Sequence, residues 1–350
     1  MSSNNAKLKR VSPRVSIMTI KKKRPVLQDV ADKLGVTKMT VSRYLRHPEQ
    51  VSSALGERIA VVLDELGYIP NRVPDMLSNS TSRAIGVLLP SLTNHVFADV
   101  LQGVESVADA AGYQTLVAHF GYQPEKEERQ LRSLLGWNVD GVILTERTHT
   151  AATLRMLETA GIPVVEIMDS VSPCLDMAVG FDNLEATRKM TQRLFSRGYR
   201  APVYLGARLD ERTLLKEQGY RRAMEEAGLM PCSVMSEMAS SFTTGALLFC
   251  EAQQRFPQMD SLCCTNDDLA VGAMFECQRQ GIEVPQQIAI SGFHGHDITR
   301  VVTPALATVV TPRKRIGEVA TSLLLQRLRG EPIAEPVRDL GFTIENGGSL

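Results

Sequence analysis

Apolar residues near the start of the chain recur at helical spacing in two short runs. Val26, Leu27, Val30, Ala31 and Leu34 form the first, and Val36, Met39, Val41 and Leu45 the second. Spacings of three and four place each run on one face of a helix, and Gly35 breaks the pattern between them. A glycine there can take the left-handed backbone that ends a helix, while Thr37 offers its hydroxyl to a free amide at the start of the next. Two short helices meeting at a tight turn are therefore expected. A third follows over residues 53–66, with Ile59, Val62, Leu63 and Leu66 on one face and Gly67 as its stop. The second helix turns Thr37, Lys38, Met39, Thr40, Ser42 and Arg43 outward, a set with hydroxyls and positive charge but no carboxylate. Such a face suits DNA; an ordinary helical hairpin with a solvated side has the same spacing.

Residues 70–82 read as a linker, with Pro70, Pro74 and a polar run from Ser78 onward. From Ala84 short apolar strands alternate with amphipathic helices. AIGVLLP, TLVAHF, DGVILT and IPVVEIM are strands of one set, and PVYLG, SLCCTN and IAISGF belong to a second. Helices are expected from Val96 to a stop at Gly112, over 127–135 and 153–160, up to Ala227, through Phe275, and over 319–329. Each strand–helix–strand crossover must pack back on its own sheet, so the fold class is α/β, with a three-helix headpiece followed by two doubly wound parallel sheets. Four segments result: a basic arm (1–24), a headpiece (25–69), a linker (70–82) and a two-lobed core (83–350), with chain crossings near 181 and 310.

Charge divides the chain in the same place. Of 39 Lys and Arg and 39 Asp and Glu, residues through Asp75 hold 14 and 7, leaving 25 and 32 for the rest, so a head of net +7 precedes a body of net −7. The head attracts phosphate and the body is repelled by it. Residues 1–24 carry eight Lys or Arg and no acid, the composition of an arm disordered when free; translation from Met18 would shorten it to 21–24. With aromatics at 5%, aliphatic packing must build the cores.

Six cysteines show no CxxC pair and no zinc-type histidine spacing, so they read as buried thiols in a reducing cytoplasm. No signal-peptide h-region and no run of eighteen apolar residues occurs, which argues against export and a membrane span. No GxGxxG follows the first strand, and neither GxxxxGK[ST] nor GxSxG is present, so a nucleotide enzyme or serine hydrolase has no support. The HGHD run at 294–297 has no third ligand nearby and is weak evidence for metal. Polar groups instead gather where strands end: Ser91 and Asn94, Thr145 to Arg147, Asn266 and Asp267, and His294. Singly these are turn and cap residues; together they favour a cleft.

The segments LQDVADKLGVTKMTVSRYL and LGYIPN resemble the headpiece of the lactose and galactose repressor (LacI/GalR) family. IGVLLPSLTNHVF, DGVIL, IPVV, CTNDDLAVGA and ISGFHGHD are similar in order and spacing to landmarks of that family's core, so the likeness runs from residue 26 to the end. TERTHT and ARLDERTLLKEQGY look most like its gluconate-repressor branch. The resemblance implies a periplasmic-binding-protein-like core and a homodimer reading two half-sites of double-stranded operator DNA, each recognition helix in a major groove. On that resemblance Lys38, Met39 and Arg43 read bases, Arg43 by a bidentate contact to guanine. Thr37, Ser42, Gln28, Asn71 and Arg72 hold phosphates. Residues 71–79 match a hinge helix that folds on the operator and wedges Leu77 into the minor groove, with Pro74 where an alanine is common.

Effector residues implied in the same way are Asn94, Thr145, Arg147, Lys216, Asn266, His294 and Arg313. Family members that bind neutral sugars tend to carry Asp and Arg where this chain has His294 and Lys216. Losing a carboxylate while keeping a cation lowers the cost of burying an anion, which points to a sugar acid, gluconate or a relative such as idonate. No cofactor, metal or membrane is expected, and the cytoplasm is the expected compartment. The helix near the end is followed by no heptad tail, so a dimer is the expected assembly. A sugar-binding protein without DNA function leaves the basic head unexplained, and an enzyme lacks a nucleophile with an aligned base. Activation in place of repression stays open.

Overall fold

A computed structural model of the chain describes residues 24–71, 81–170 and 173–350. Most of the expected basic arm and the hinge positions Arg72, Pro74 and Leu77 lie outside the described residues. The chain divides into two compact units, Met1–Ser80 and Thr81–Leu350.

In the first unit, α1 (Leu27–Leu34) ends at Gly35, whose φ of 67° is the left-handed cap that the sequence pattern requires. Next come α2 (Lys38–Arg46) and, after a 3-10 turn, α3 (Ser53–Leu66), which ends at Gly67 with φ 59°. Val30, Ala31, Leu34, Val41, Ile59 and Val62 form the shared core. So small a core is completed by partly buried neighbours, Tyr44 among them. A Cβ on Gly56 would sit 3.1 Å from the Tyr44 ring, so glycine lets α3 approach α2.

The second unit holds two six-stranded sheets. The first lobe is built from β1 (Ala84–Leu89), α4 (His95–Ala110), β2 (Gln114–His119), α5 (Pro124–Gly136), β3 (Gly141–Leu144), α6 (Ala151–Ala160), β4 (Val164–Ile167) and β5 (Met177–Gly180). The chain then crosses to the second lobe, made of α7 (Asn183–Ser196), β6 (Pro202–Ala207), α8 (Glu211–Glu226), β7 (Cys232–Ser236), α9 (Phe242–Arg255), β8 (Ser261–Cys264), α10 (Asp267–Gln280), β9 (Ala289–His294), α11 (Ile298–Val301) and β10 (Ala307–Val310). It returns for α12 (Arg313–Leu328) and β11 (Val337–Asp339), and crosses once more to β12 (Thr343–Glu345). Strand orders are β11-β5-β4-β3-β1-β2 and β12-β10-β9-β8-β6-β7.

Both sheets are doubly wound, and in each the order reverses beside the first strand, between β1 and β3 and between β6 and β8. Crevices form at the carboxyl ends of strands at such a reversal. One pairing departs from the all-parallel expectation: β12 runs antiparallel to β10, because it enters from the opposite lobe after the third crossing. Helix α12 docks on α4 through Gly103 and Gly317, where an added Cβ would lie 2.0 Å from the Lys314 carbonyl and 2.1 Å from that of Val100. Thus α12 belongs to the first lobe although the chain reaches it from the second.

Candidate functional site

The headpiece presents an exposed face on α2. Thr37 caps the helix, its hydroxyl oxygen accepting from the Thr40 amide at 3.2 Å and lying 3.0 Å from the Thr40 hydroxyl. Lys38, Met39 and Arg43 are exposed and Ser42 is half-buried. Met39 is 69% exposed, a poor position for a methionine unless something apolar covers it. Gln28, in the first turn of α1, donates its amide to Asp32. Asn71 is exposed at the end of the described headpiece.

In the core, the carboxyl ends of β1, β6, β8 and β9 converge on an interlobe cavity. Four expected residues line it: Asn94, Lys216, Asn266 and His294. Their placement follows from local structure. Asn94 caps α4, its Oδ1 accepting from the Val96 amide at 3.0 Å, and Asn266 caps α10 through the Leu269 amide at 3.1 Å. Lys216 reaches in from α8 and is 4% exposed. Its Nζ donates to the Thr265 carbonyl at 3.1 Å, lies 3.2 Å from His294 Nε2 and sits 3.8 Å from the centre of the Phe293 ring.

Burial pulls the Lys216 amine down to about 7. Burial, followed by the charge of Lys216, drives His294 well below the usual imidazole range, so that ring is neutral. Asp267 lies behind the wall: its carboxylate accepts from the Thr308 hydroxyl at 2.6 Å and the His296 amide at 2.8 Å, which fixes the turn after His294. Burial raises the Asp267 carboxyl to about 7.

Three expected residues point elsewhere. The Thr145 hydroxyl donates to the Leu88 carbonyl at 2.9 Å and is fully buried. Arg147 turns toward Asp169 and the Pro173 carbonyl. Arg313 pairs with Asp99 at 2.7 Å and donates to the His294 and Gly295 carbonyls, so it braces the His294 turn from behind.

In their place the cavity is lined by Arg208, Asp210 and Arg212, with Tyr122, Met168 and Ser240. Arg208 stacks over Tyr122 at 4.1 Å. Arg212 spans the lobes, donating at 2.6 Å both to the Thr145 carbonyl and to Glu146. The sequence signal for this group was ARLDER itself, two arginines and an aspartate just past a strand. Among the described residues, seven non-glycine residues have positive φ, and four of them (Tyr122, Met168, Arg208 and His294) line this cavity. Backbone strain of that kind persists where surrounding structure holds it, and it clusters at ligand sites.

The cavity encloses about 40 Å³, room for one or two waters. Among the described residues there is no cluster of three or more His, Cys, Asp or Glu able to hold a metal ion, and no helix is long and apolar enough to cross a membrane.

Comparison with known proteins accounts for both units. Residues 26–71 match the model for bacterial regulatory proteins of the lacI family, and residues 82–340 match that for periplasmic binding proteins and the sugar binding domain of the LacI family. The chain belongs to the LacI family. Over 331 residues, 95% of this chain and 100% of the relative, it is 64% identical to the HTH-type transcriptional regulator GntR of Escherichia coli strain K12. It is 44% identical over 325 residues to the HTH-type transcriptional regulator IdnR of the same strain, covering 93% of this chain and 98% of that one. A LacI-family regulator from Silicibacter pomeroyi has a crystal structure that matches with a TM-score of 0.87 at 33% identity, over 93% of this chain and 99% of that one. This LacI-family chain is a DNA-binding transcriptional regulator with a small-molecule-binding core, and not an enzyme.

Proposed function

We propose that this regulator is a repressor of sugar-acid utilisation genes, released from its operator when gluconate or a closely related aldonate binds the interlobe cavity. The observation that carries the ligand class is the charge of the wall. Lys216 and Arg208 face one carboxylate, Asp210, while Arg212 is paired with Glu146 and His294 is neutral beside them. A buried amine near its titration point gains a charge-assisted bond from a carboxylate, while Asp210, Asn94, Asn266 and Ser240 suit a chain of hydroxyls. The names of the two regulators similar to this chain support the same class.

In this reading the protein works in the cytoplasm as a homodimer. Lys38, Met39 and Arg43 read bases, with Met39 against a thymine methyl, and Thr37, Ser42, Gln28, Asn71 and Arg72 hold phosphates while Leu77 wedges the minor groove. A six-carbon acid is larger than this 40 Å³ space, so its entry requires the lobes to part or Arg208 to swing out. That difference between free and bound cores is what couples the ligand to the operator, since a ligand shifts only an equilibrium whose states it binds unequally.

Calorimetric titration of the full chain tests the ligand class. Gluconate or idonate should bind, while glucose and glucitol, which lack the carboxylate, should bind at least about tenfold more weakly. Equal binding of glucitol would remove the sugar-acid reading.

A further inference from the structure

Beside the effector cavity lies a second opening between the lobes, of about 560 Å³, and its electrostatic character is reversed. Glu127, Glu146, Asp210 and Glu211 contribute to its wall, and no Lys, Arg or His does so among the described residues. The remaining surface is largely apolar, from Phe120, Leu214 and Leu215. Tyr122 and Asp210 border both openings.

Acidic residues at a cleft mouth are often only solvated, but Glu127 is not at a solvated surface. It is 1% exposed, its Oε2 lies 2.8 Å from His149 Nδ1, and its Oε1 has no hydrogen-bond partner among the described residues. A carboxylate oxygen so deeply buried costs free energy until a donor reaches it. The neighbouring carboxylates are each tied down on one side. Glu146 pairs with Arg212 at 2.6 Å, Glu211 accepts from the Thr148 hydroxyl at 2.9 Å, and Asp210 accepts from the Thr213 amide at 2.8 Å. Burial also raises the Glu146 carboxyl above its usual range, a shift that an added positive charge would reverse.

We propose that this opening binds an organic cation, a primary ammonium or guanidinium on a short apolar stem, with Glu127 Oε1 as its buried anchor. A metal ion is the poorer fit, because it needs several ligands converging at roughly 2.0–2.6 Å and the described residues offer no such cluster. An ammonium needs only separate acceptors, and its methylene stem lies against Phe120, Leu214 and Leu215. The first lobe supplies Phe120, Glu127 and Glu146, and the second supplies Asp210, Glu211 and the two leucines, so the occupant bridges the lobes. It is therefore linked to the effector cavity, and any change it makes in effector affinity is matched by an equal change in its own. The opening shares Asp210 and Tyr122 with the effector cavity, but its anchor Glu127 has no part in the sugar-acid reading, so the two can fail separately.

Thermal shift and calorimetry on the full chain decide it, with putrescine and agmatine as probes and 1,4-butanediol, sodium chloride and magnesium chloride as controls. A saturable rise in melting temperature with putrescine or agmatine, absent from the controls at equal ionic strength, is expected. Glu127→Gln should weaken binding at least about tenfold, the scale of one lost charge-assisted bond. Because Glu127 also contacts His149, two surface variants guard against a folding artefact: Glu211→Gln should weaken binding by roughly threefold, and Leu214→Lys, which puts a fixed cation at the mouth, should abolish it. No saturable shift with either amine, the same shift with butanediol or salt, or affinities unchanged across the three variants would overturn the proposal.

Discussion

The headpiece and the core solve recognition in opposite ways. On the headpiece the candidate contacts stand in the open, as Met39 at 69% exposure shows, on a helix held from behind by a small apolar cluster. In the core they are half-buried or buried, Lys216 at 4%, and their protonation, backbone strain and hydrogen bonds depend on one another. An exposed reading face lets each side chain act nearly alone, so losses there should add. A buried cleft couples its members, so a change at one alters the charge state of the next.

The largest expected effect is on the exposed face. Arg43→Ala should weaken operator binding by about 1 to 3 kcal/mol per half-site and relax the preference at one base, leaving gluconate affinity within about twofold. A quantitative gel shift over operator variants reads both, and a uniform loss across sequences would make Arg43 a phosphate contact. Next, Gly103→Ala should lower the unfolding free energy of the core by about 1 to 3 kcal/mol, since its methyl would press on the Lys314 carbonyl where α4 meets α12. Denaturant unfolding should show that loss in the core transition while the headpiece transition stays put.

The residues tested in these two ways were not equally open to sequence reasoning. The headpiece was readable because its signals are local: Gly35 and Thr37 lie two residues apart and each does what its chemistry requires. Most strands of the core were readable as apolar runs. Helix α7 was not, because its apolar stripe is narrow, Ala186, Met190 and Leu194, and the rest of its buried face includes Thr187 and Thr191, whose hydroxyls are hidden in bonds to carbonyls one turn back. The start of α12 was also missed, since it opens on RKR and its apolar face begins only at Ile316. In the cleft, Asn94, Lys216, Asn266 and His294 were anticipated. Arg208 and Arg212 were passed over for Arg147 and Arg313, because which of several arginines faces a cavity is set by tertiary contacts, here those to Tyr122, Glu146, Asp169 and Asp99.

Coupling in the cleft has its own signature in pH. The Lys216 amine titrates at about 7 without ligand, and a bound carboxylate raises that value. Binding above pH 7 must therefore take up a proton, and gluconate affinity should fall as pH rises from 7, by up to about tenfold per unit. Calorimetry in buffers of different ionisation enthalpy would detect the proton, and an affinity flat from pH 7 to 9 would detach Lys216 from the ligand. The smallest effect belongs to Met39. Met39→Ala should cost operator binding about 1 kcal/mol or less, confined to sites with a thymine opposite it, because only van der Waals contact is lost.

Regulation here turns on one link, the control that a sugar acid in a cationic cleft exerts over an exposed helix on DNA. A fluorescence-anisotropy titration of the operator-bound protein with gluconate, run in parallel on the native chain and on Lys216→Met, tests that link. Millimolar gluconate should release the native protein, while the variant should bind operator as tightly and stay bound. Gluconate that leaves the native protein on its operator, or releases both equally, would contradict it.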